Sequence, residues 1–344
     1  MNPDSKARVL VVRPDRIGDV VLSTPVFTNI RKARPEWEIT ALLRPMVAEL
    51  LQGHPDIDGV ITLSTDEKPD FSNTRNLAEN LRPKKFDAAI HLFSDFWISL
   101  AVWRAGVPLR VGPASKIAQI FYNTKVVQHR SKGNRHEAEY NLDLLTPLGI
   151  EPEWYPPSLV AANGLPHSAD GALDSAKKNV GVFPSMGGSA RNWSPEKWAE
   201  LATSLSGEGV NVILIGGPMD SDAVRKVERM VESISHDGSP EGPGVFISQS
   251  LKELAGFMKE IDCLVAPSTG PLHIASAVGT PAVGIYCPIR VCLPNRWGPK
   301  GENDAAFMPE VPPCEKCTGE ECQHFDCMDK IDPKRIIEAV MKRV

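Results

Sequence analysis

No run of apolar residues in this 344-residue chain approaches the roughly 18 that would cross a bilayer. The opening MNPDSKARVLVVRPDR has one short apolar run with charges directly after it. It lacks the make-up of a secretory leader, so the expected location is the cytoplasm. The first apolar run is followed by R-P-D-R-I-G-D, not G-x-G-x-x-G. The usual dinucleotide turn is therefore missing, which argues against a nicotinamide oxidoreductase. No aromatic-rich basic stripe or known binding module is present, which argues against nucleic acid as a partner. Cysteine is absent before Cys263, and all seven cysteines fall in the second half.

What is present is an ordinary globular composition, with 42% apolar and 24% charged residues. The length suits two domains. The net charge of −5 hides an asymmetry: residues 1–135 carry 20 Lys and Arg against 14 Asp and Glu, and the remainder carries 18 against 29. From Arg75 to Arg135 there are 11 basic and 3 acidic residues. Such a cluster is either a solvated face or the surface that an acidic acceptor or an anionic membrane needs.

Strands and helices alternate. Apolar runs predict strands at Arg8–Val12, Glu38–Leu43, Val60–Leu63, Phe86–Leu92 and Leu109–Val111 in the first half. In the second half they predict Asn179–Phe183, Val210–Ile215, Val245–Ile247, Cys263–Ala266 and Ala282–Tyr286. Helices are expected between them, including one that ends near Ala33 with Pro25 as a kink or a restart capped by Thr24. Others are Glu137–Leu148, Pro195–Leu205 capped by Ser194, Asp220–Ser233, and a terminal helix over 331–344. Lys116–Val127 is ambiguous, and 236–244 reads as a loop. The proline-rich stretch Glu151–His167 is the linker candidate, giving domains of 1–160 and 170–330 followed by the terminal helix. This alternation implies two α/β domains built on parallel sheets, with ligands beyond the carboxyl ends of the strands.

The most informative stretch is Asp262–Pro288, DCLVAPSTGPLHIASAVGTPAVGIYCP. Ser268, Thr269 and Gly270 form a small polar turn between a strand and a helix, and Pro271 suits a first helical position. Free N–H groups, hydroxyls and the helix dipole make this turn a place for a diphosphate; a turn with no ligand is the plain alternative. S-T-G-P-L-H-I-A-x-A-x-G-T-P resembles the donor-site signature of glycosyltransferase family 9, the lipopolysaccharide heptosyltransferases. The family usually has an acidic residue where Ser268 stands. R-x-D-R-I-G-D-x-x-x-x-T-P, from Arg13 to Pro25, resembles the same family's N-terminal signature.

The resemblance runs from about Arg8 to the C-terminus. It implies a GT-B fold, two Rossmann-like doubly wound domains facing across a cleft, the first binding acceptor and the second a nucleotide-sugar donor. It makes Asp19 the catalytic base, where the residue by itself reads as a helix cap. Arg13 and Arg16 become acceptor contacts, or else surface charges. In FPSMGGSARNWSPEKW, Arg191 takes the place of the basic residue that meets the donor diphosphate, with Ser185 and Ser189 as further phosphate contacts. Trp193 and Trp198 read as packing residues. Asp220, with Asp222 as the alternative, matches the acidic residue on the donor ribose, and His273 joins the donor set. The activity implied is inverting transfer of heptose from an ADP-sugar to the lipopolysaccharide inner core, without a catalytic metal. The partners implied are the donor and an acidic lipid-linked saccharide, met at the cytoplasmic face of the inner membrane by peripheral contact.

Four cysteines cluster as Cys314-x2-Cys317-x4-Cys322-x4-Cys327, with His324 inside. In a cytoplasmic protein such a cluster suggests metal before disulfides, but the spacing matches no standard zinc module. Free thiols are the favoured reading and a structural zinc the weaker one. The rival functions are another GT-B enzyme using a different nucleotide sugar, whether glycosyltransferase or sugar-nucleotide epimerase, and a non-catalytic interaction protein held by metal.

Overall fold

In a computed structural model, residues 6–66, 70–161, 164, 169, 171–188, 190–234 and 242–344 are described. The chain divides into two units, one of residues 1–130 with 135–160, the other of 131–134 with 161–344. Ser189, residues 236–241 of the expected 236–244 loop and part of the 151–167 linker lie outside the described residues.

The first unit holds β1 (Arg8–Val12), β2 (Glu38–Leu43), β3 (Gly59–Thr62), β4 (Ala88–His91), β5 (Leu109–Pro113) and β6 (Thr124–Val126). They pair in the order β3-β2-β1-β4-β5-β6, and every pairing is parallel. That order is the doubly wound one, whose topological switch lies between β1 and β4. After its exposed first residue, β1 is buried throughout, as a strand covered on both faces must be. One covering layer packs Leu10, Val12 and Leu42 against Leu77, Leu81, Ile98 and Val102.

The segment after β1 breaks into two helices, α1 (Ile17–Val21) and α2 (Thr24–Ala33). Pro25 sits in the first turn of α2, where its missing N–H is harmless. Thr24 does not cap α2 as expected. Its hydroxyl and that of Ser23 instead donate back to the carbonyls of Val21 and Val20, at 2.8 and 2.6 Å. The Val20 carbonyl also accepts the Ser23 N–H at 3.0 Å, so the two hydroxyls close the end of α1. The oxygen of Thr24 also accepts from the Ser158 N–H at 3.0 Å, and Asn29 exchanges two hydrogen bonds with the Glu153 backbone. The chain leaving the first unit is thus pinned to α2. The remaining helices of this unit are α3 (Pro45–Ala48), α4 (Phe71–Leu81), α5 (Phe96–Arg104) and α6 (Glu137–Leu142). The helix expected over Glu137–Leu148 is α for its first half only. From Asp143 it tightens to a 3-10 turn, because Pro147 cannot donate to the helical ladder.

The second unit repeats the plan. β7 (Asn179–Val182), β8 (Asn211–Gly216), β9 (Gly244–Ile247), β10 (Cys263–Pro267), β11 (Ala282–Ile285) and β12 (Ala305–Phe307) form a parallel sheet in the order β12-β11-β10-β7-β8-β9. Its switch lies between β7 and β10. The helices are α7 (Pro195–Gly207), α8 (Ser221–Ile234), α9 (Leu251–Glu260), α10 (Gly270–Ala277), α11 (Pro294–Trp297) and α12 (Pro333–Met341). Ser194 caps α7 by accepting from the Lys197 N–H, as the sequence suggests. The terminal helix α12 packs on α7 and buries Ile336 and Val340 in this unit's core. Gly279, at φ +92°, closes α10 in a conformation that side chains resist.

Candidate active site

In the first unit the polypeptide leaving β1 carries Arg13, Asp15, Arg16 and Asp19 past the switch point. Asp19 sits in the first turn of α1, with a 14% exposed side chain. Arg13 is 1% exposed. Its Nη2 donates to the Asp19 carboxylate and, at 3.3 Å, to Glu137 Oε1. Its Nη1 donates to the Leu92 carbonyl at 3.0 Å and to Asn141 Oδ1 at 3.3 Å. The carboxylate of Asp15 lies 3.7 Å from Nη2. Arg130 closes the far side, its Nη1 donating to Glu137 Oε1 at 2.6 Å.

This arrangement sets the chemistry of Asp19. Burial pushes its carboxyl up to about 6; Arg13 pulls it down, and Asp15 and Glu137 push it up. Above that value it is an ionised carboxylate, with a basicity better matched to neutral pH than that of an ordinary aspartate. Arg13 differs from the expected acceptor contact. A buried guanidinium committed to two carboxylates, a carbonyl and an amide is a support for Asp19, not a surface cation. Arg16 is exposed, and no side-chain cap comes from it although it precedes α1.

Sequence reasoning missed Glu137, Asn141 and Arg130. Glu137 and Asn141 stand at i and i+4 on α6, so both point to one face, and both are buried. A polar pair at that spacing inside an otherwise apolar helix face is the signal that could have found them.

In the second unit, the loops after β7 and β10 flank the switch. Thr269 is extended and precedes α10, whose first residue is Gly270, with Pro271 second. Ser268 donates its N–H to the Ile285 carbonyl, and the neighbouring Tyr286 hydroxyl donates to the Trp297 carbonyl at 2.8 Å. Ser268, Thr269 and Gly270 are all half-buried, and His273 is buried on α10. Asp220 ends a 3-10 turn ahead of α8, and its Oδ2 accepts from the Gly217 N–H at 3.0 Å. Its capping role is therefore real. Asp222 lies in the first turn of α8 and is exposed. Ser185 is half-buried in the loop after β7, while Ser189 is not among the described residues. Trp193 and Trp198 are buried edge to face at 5.2 Å.

Arg191 stands over the Phe325 ring at 4.4 Å, with Nη1 3.9 Å from Cys317 Sγ. It lines a cavity of about 30 Å³ together with Cys287, Cys314, Cys317, Cys322, His324 and Cys327. The sequence cluster thus gains Cys287, two residues beyond β11. All seven cysteines are free thiols, and among the described residues no three His, Cys, Asp or Glu are disposed to hold a metal ion. Burial pushes the Cys314 and Cys327 thiols up.

The profile of glycosyltransferase family 9 (heptosyltransferase) matches residues 74–327. The chain belongs to glycosyltransferase family 9. It is a glycosyltransferase, which sets aside the reading of a non-catalytic interaction protein. A Haemophilus influenzae protein, named no more specifically than as a glycosyltransferase, is 32% identical over 88% of this chain and 89% of its own. The lipopolysaccharide core heptosyltransferase OpsX of H. influenzae is 25% identical over 80% of this chain and 78% of its own. The solved structure of E. coli ADP-heptose LPS heptosyltransferase II superposes with a TM-score of 0.78 at 21% identity, covering 97% of this chain and 98% of its own. The two doubly wound units are thus those of the GT-B fold of that enzyme group. Among the described residues no helix is long and apolar enough to cross a membrane.

Proposed function

We propose that this family 9 enzyme is an inverting heptosyltransferase that moves heptose from ADP-heptose to the inner core of lipopolysaccharide. The observation that carries the proposal is the Asp19 carboxylate, buried against Arg13 just beyond β1 with its basicity raised toward neutrality. The names of the relatives support the sugar and the acceptor.

In this reaction an acceptor hydroxyl attacks the anomeric carbon from the face opposite the diphosphate. Asp19 takes the hydroxyl proton as the new C–O bond forms, and ADP departs with the electrons of the old bond. The base belongs to the first unit and the donor site to the second. There the turn Ser268–Thr269–Gly270 offers N–H groups and hydroxyls to the diphosphate, and Ser185 and Ser189 add further hydroxyls. Arg191 supplies positive charge to the leaving group after lifting from Phe325. Asp220 accepts from ribose hydroxyls with the carboxylate oxygen that does not cap its own turn, and His273 supports the turn from α10. Arg16 and the basic stretch from Arg75 to Arg135 meet the acidic acceptor, at the cytoplasmic face of the inner membrane. No step requires a metal.

The test is a transfer assay with purified protein. ADP-heptose and inner-core acceptor together give a heptosylated product and ADP; neither substrate alone does. Turnover of a different nucleotide sugar in preference to ADP-heptose overturns the proposed donor. A thermal-shift screen of nucleotide sugars reports the same choice through binding.

A further inference from the structure

Among the described residues Glu137 is the one fully buried carboxylate, and the reaction as described gives it no task. It is 1% exposed. Its Oε1 accepts from Arg13 Nη2 at 3.3 Å on one side and from Arg130 Nη1 at 2.6 Å on the other. Arg13 in turn holds Asp19. The four groups form a row of alternating charge, Asp19, Arg13, Glu137, Arg130, running from the buried carboxylate to an arginine that is 20% exposed. Asn141 Oδ1 accepts from both arginines, at 3.3 and 3.4 Å, and keeps them in register.

We propose that Glu137 is a positioning residue for the transfer: it shares the Arg13 guanidinium with Asp19, and so sets how tightly that guanidinium holds the base. The inference rests on the reading of Asp19 as the base. A guanidinium paired with Asp19 alone places a full positive charge on that carboxylate and makes it a poor proton acceptor. Glu137 draws off part of this interaction, and Arg130 limits how much it draws. Both arginines remain partnered, which a buried charge requires.

The charged groups that face Asp19 are few. Arg13 and Asp15 come from the segment after β1, and Glu137 from α6. The β4 side presents the Leu92 carbonyl to Arg13, and Asn141 is neutral. The sign of each substitution follows. Glu137→Gln keeps the shape and removes a negative charge, so Asp19 becomes more acidic. Arg130→Gln removes a positive charge and leaves Glu137 acting more strongly on Arg13, so Asp19 becomes less acidic.

The experiment follows the Asp19 carboxyl carbon by NMR titration of the full chain, assigned by its loss in Asp19→Asn. In parallel, kcat/KM is measured against pH. Glu137→Gln is expected to move both the titration and the acid limb of the rate down by about one pH unit. Arg130→Gln is expected to move both up. A purely structural role for Glu137 moves neither. An Asp19 titration unchanged in both variants overturns the inference. A titration that moves while the rate profile stays fixed overturns it from the other side, by removing Asp19 as the base. Should Glu137→Gln fail to fold, Arg130→Gln, altered at a partly exposed residue, decides the matter alone.

Discussion

The Arg13 guanidinium and the Asp19 carboxylate form an ion pair in which the arginine is almost wholly buried and the aspartate keeps 14% of its side-chain surface open. The open edge of Asp19 is what a general base needs, and the closed side is what fixes its direction. Asp19→Asn keeps the size and the hydrogen bond acceptor for Arg13 but cannot take a proton. We expect normal ADP binding and a kcat at least about a hundredfold lower. The parent rate should fall below about pH 6, where Asp19 protonates. A folded Asp19→Asn enzyme within about threefold of the parent rate would reduce Asp19 to a structural acid.

Arg191 rests on Phe325 beside the cysteine-lined cavity. If its guanidinium is the cation for the diphosphate, Arg191→Ala loses one charge-assisted contact, and ADP affinity drops about tenfold. Phe325→Ala removes only the resting place and should leave ADP affinity within about twofold of the parent, because the charge stays. Calorimetric titration with ADP checks both. Equal affinity in Arg191→Ala and parent would dissociate Arg191 from the donor.

His91 ends β4 beside Val12 of β1, fully buried, with its ring 4.7 Å from that of Tyr122. Burial, helped by Arg110, pushes its imidazole down to about 3 from an ordinary 6.5. The unfolded chain therefore binds a proton here that the folded chain refuses. This contribution to stability is complete above pH 6.5 and is lost as pH falls toward 3. Between pH 7 and 5.5 it should cost about 1 kcal/mol. His91→Phe keeps a ring against Tyr122 and should flatten that part of the profile. Urea denaturation at the two pH values checks it; an unchanged slope would assign the acid sensitivity elsewhere.

The cysteine cavity predicts thiols without stoichiometric metal. Zinc and iron analysis of the purified protein should return far less than one equivalent, and Cys314→Ser should leave the melting temperature nearly unchanged. A structural metal would give one equivalent, lost in Cys314→Ser together with much of the stability.

The alternation of apolar runs and helical stretches made most strands legible, because buried parallel strands are short, continuous and apolar. The exceptions are instructive. Thr124–Val126 and Ala305–Phe307 are three-residue strands at sheet edges, too short for a pattern and too exposed to need one. The signatures around Asp19 and Thr269 fall in the segments that follow β1 and β10, one in each unit. They did not reveal that Arg13 is internal, since its partners Glu137 and Asn141 lie more than a hundred residues further along. They also gave no sign that Arg191 leans on Phe325. Such pairings belong to tertiary packing, and a charge in a motif says nothing about which way its side chain turns.

The oxygen of Thr24 bonds in two directions, donating to the end of α1 and accepting from Ser158 on the outgoing chain. One side chain thus ties the outgoing segment to the junction just behind the helix that carries Asp19. A Thr24→Val enzyme, which keeps the shape but has no hydroxyl, would lose both ties while leaving Arg13 and Glu137 in place.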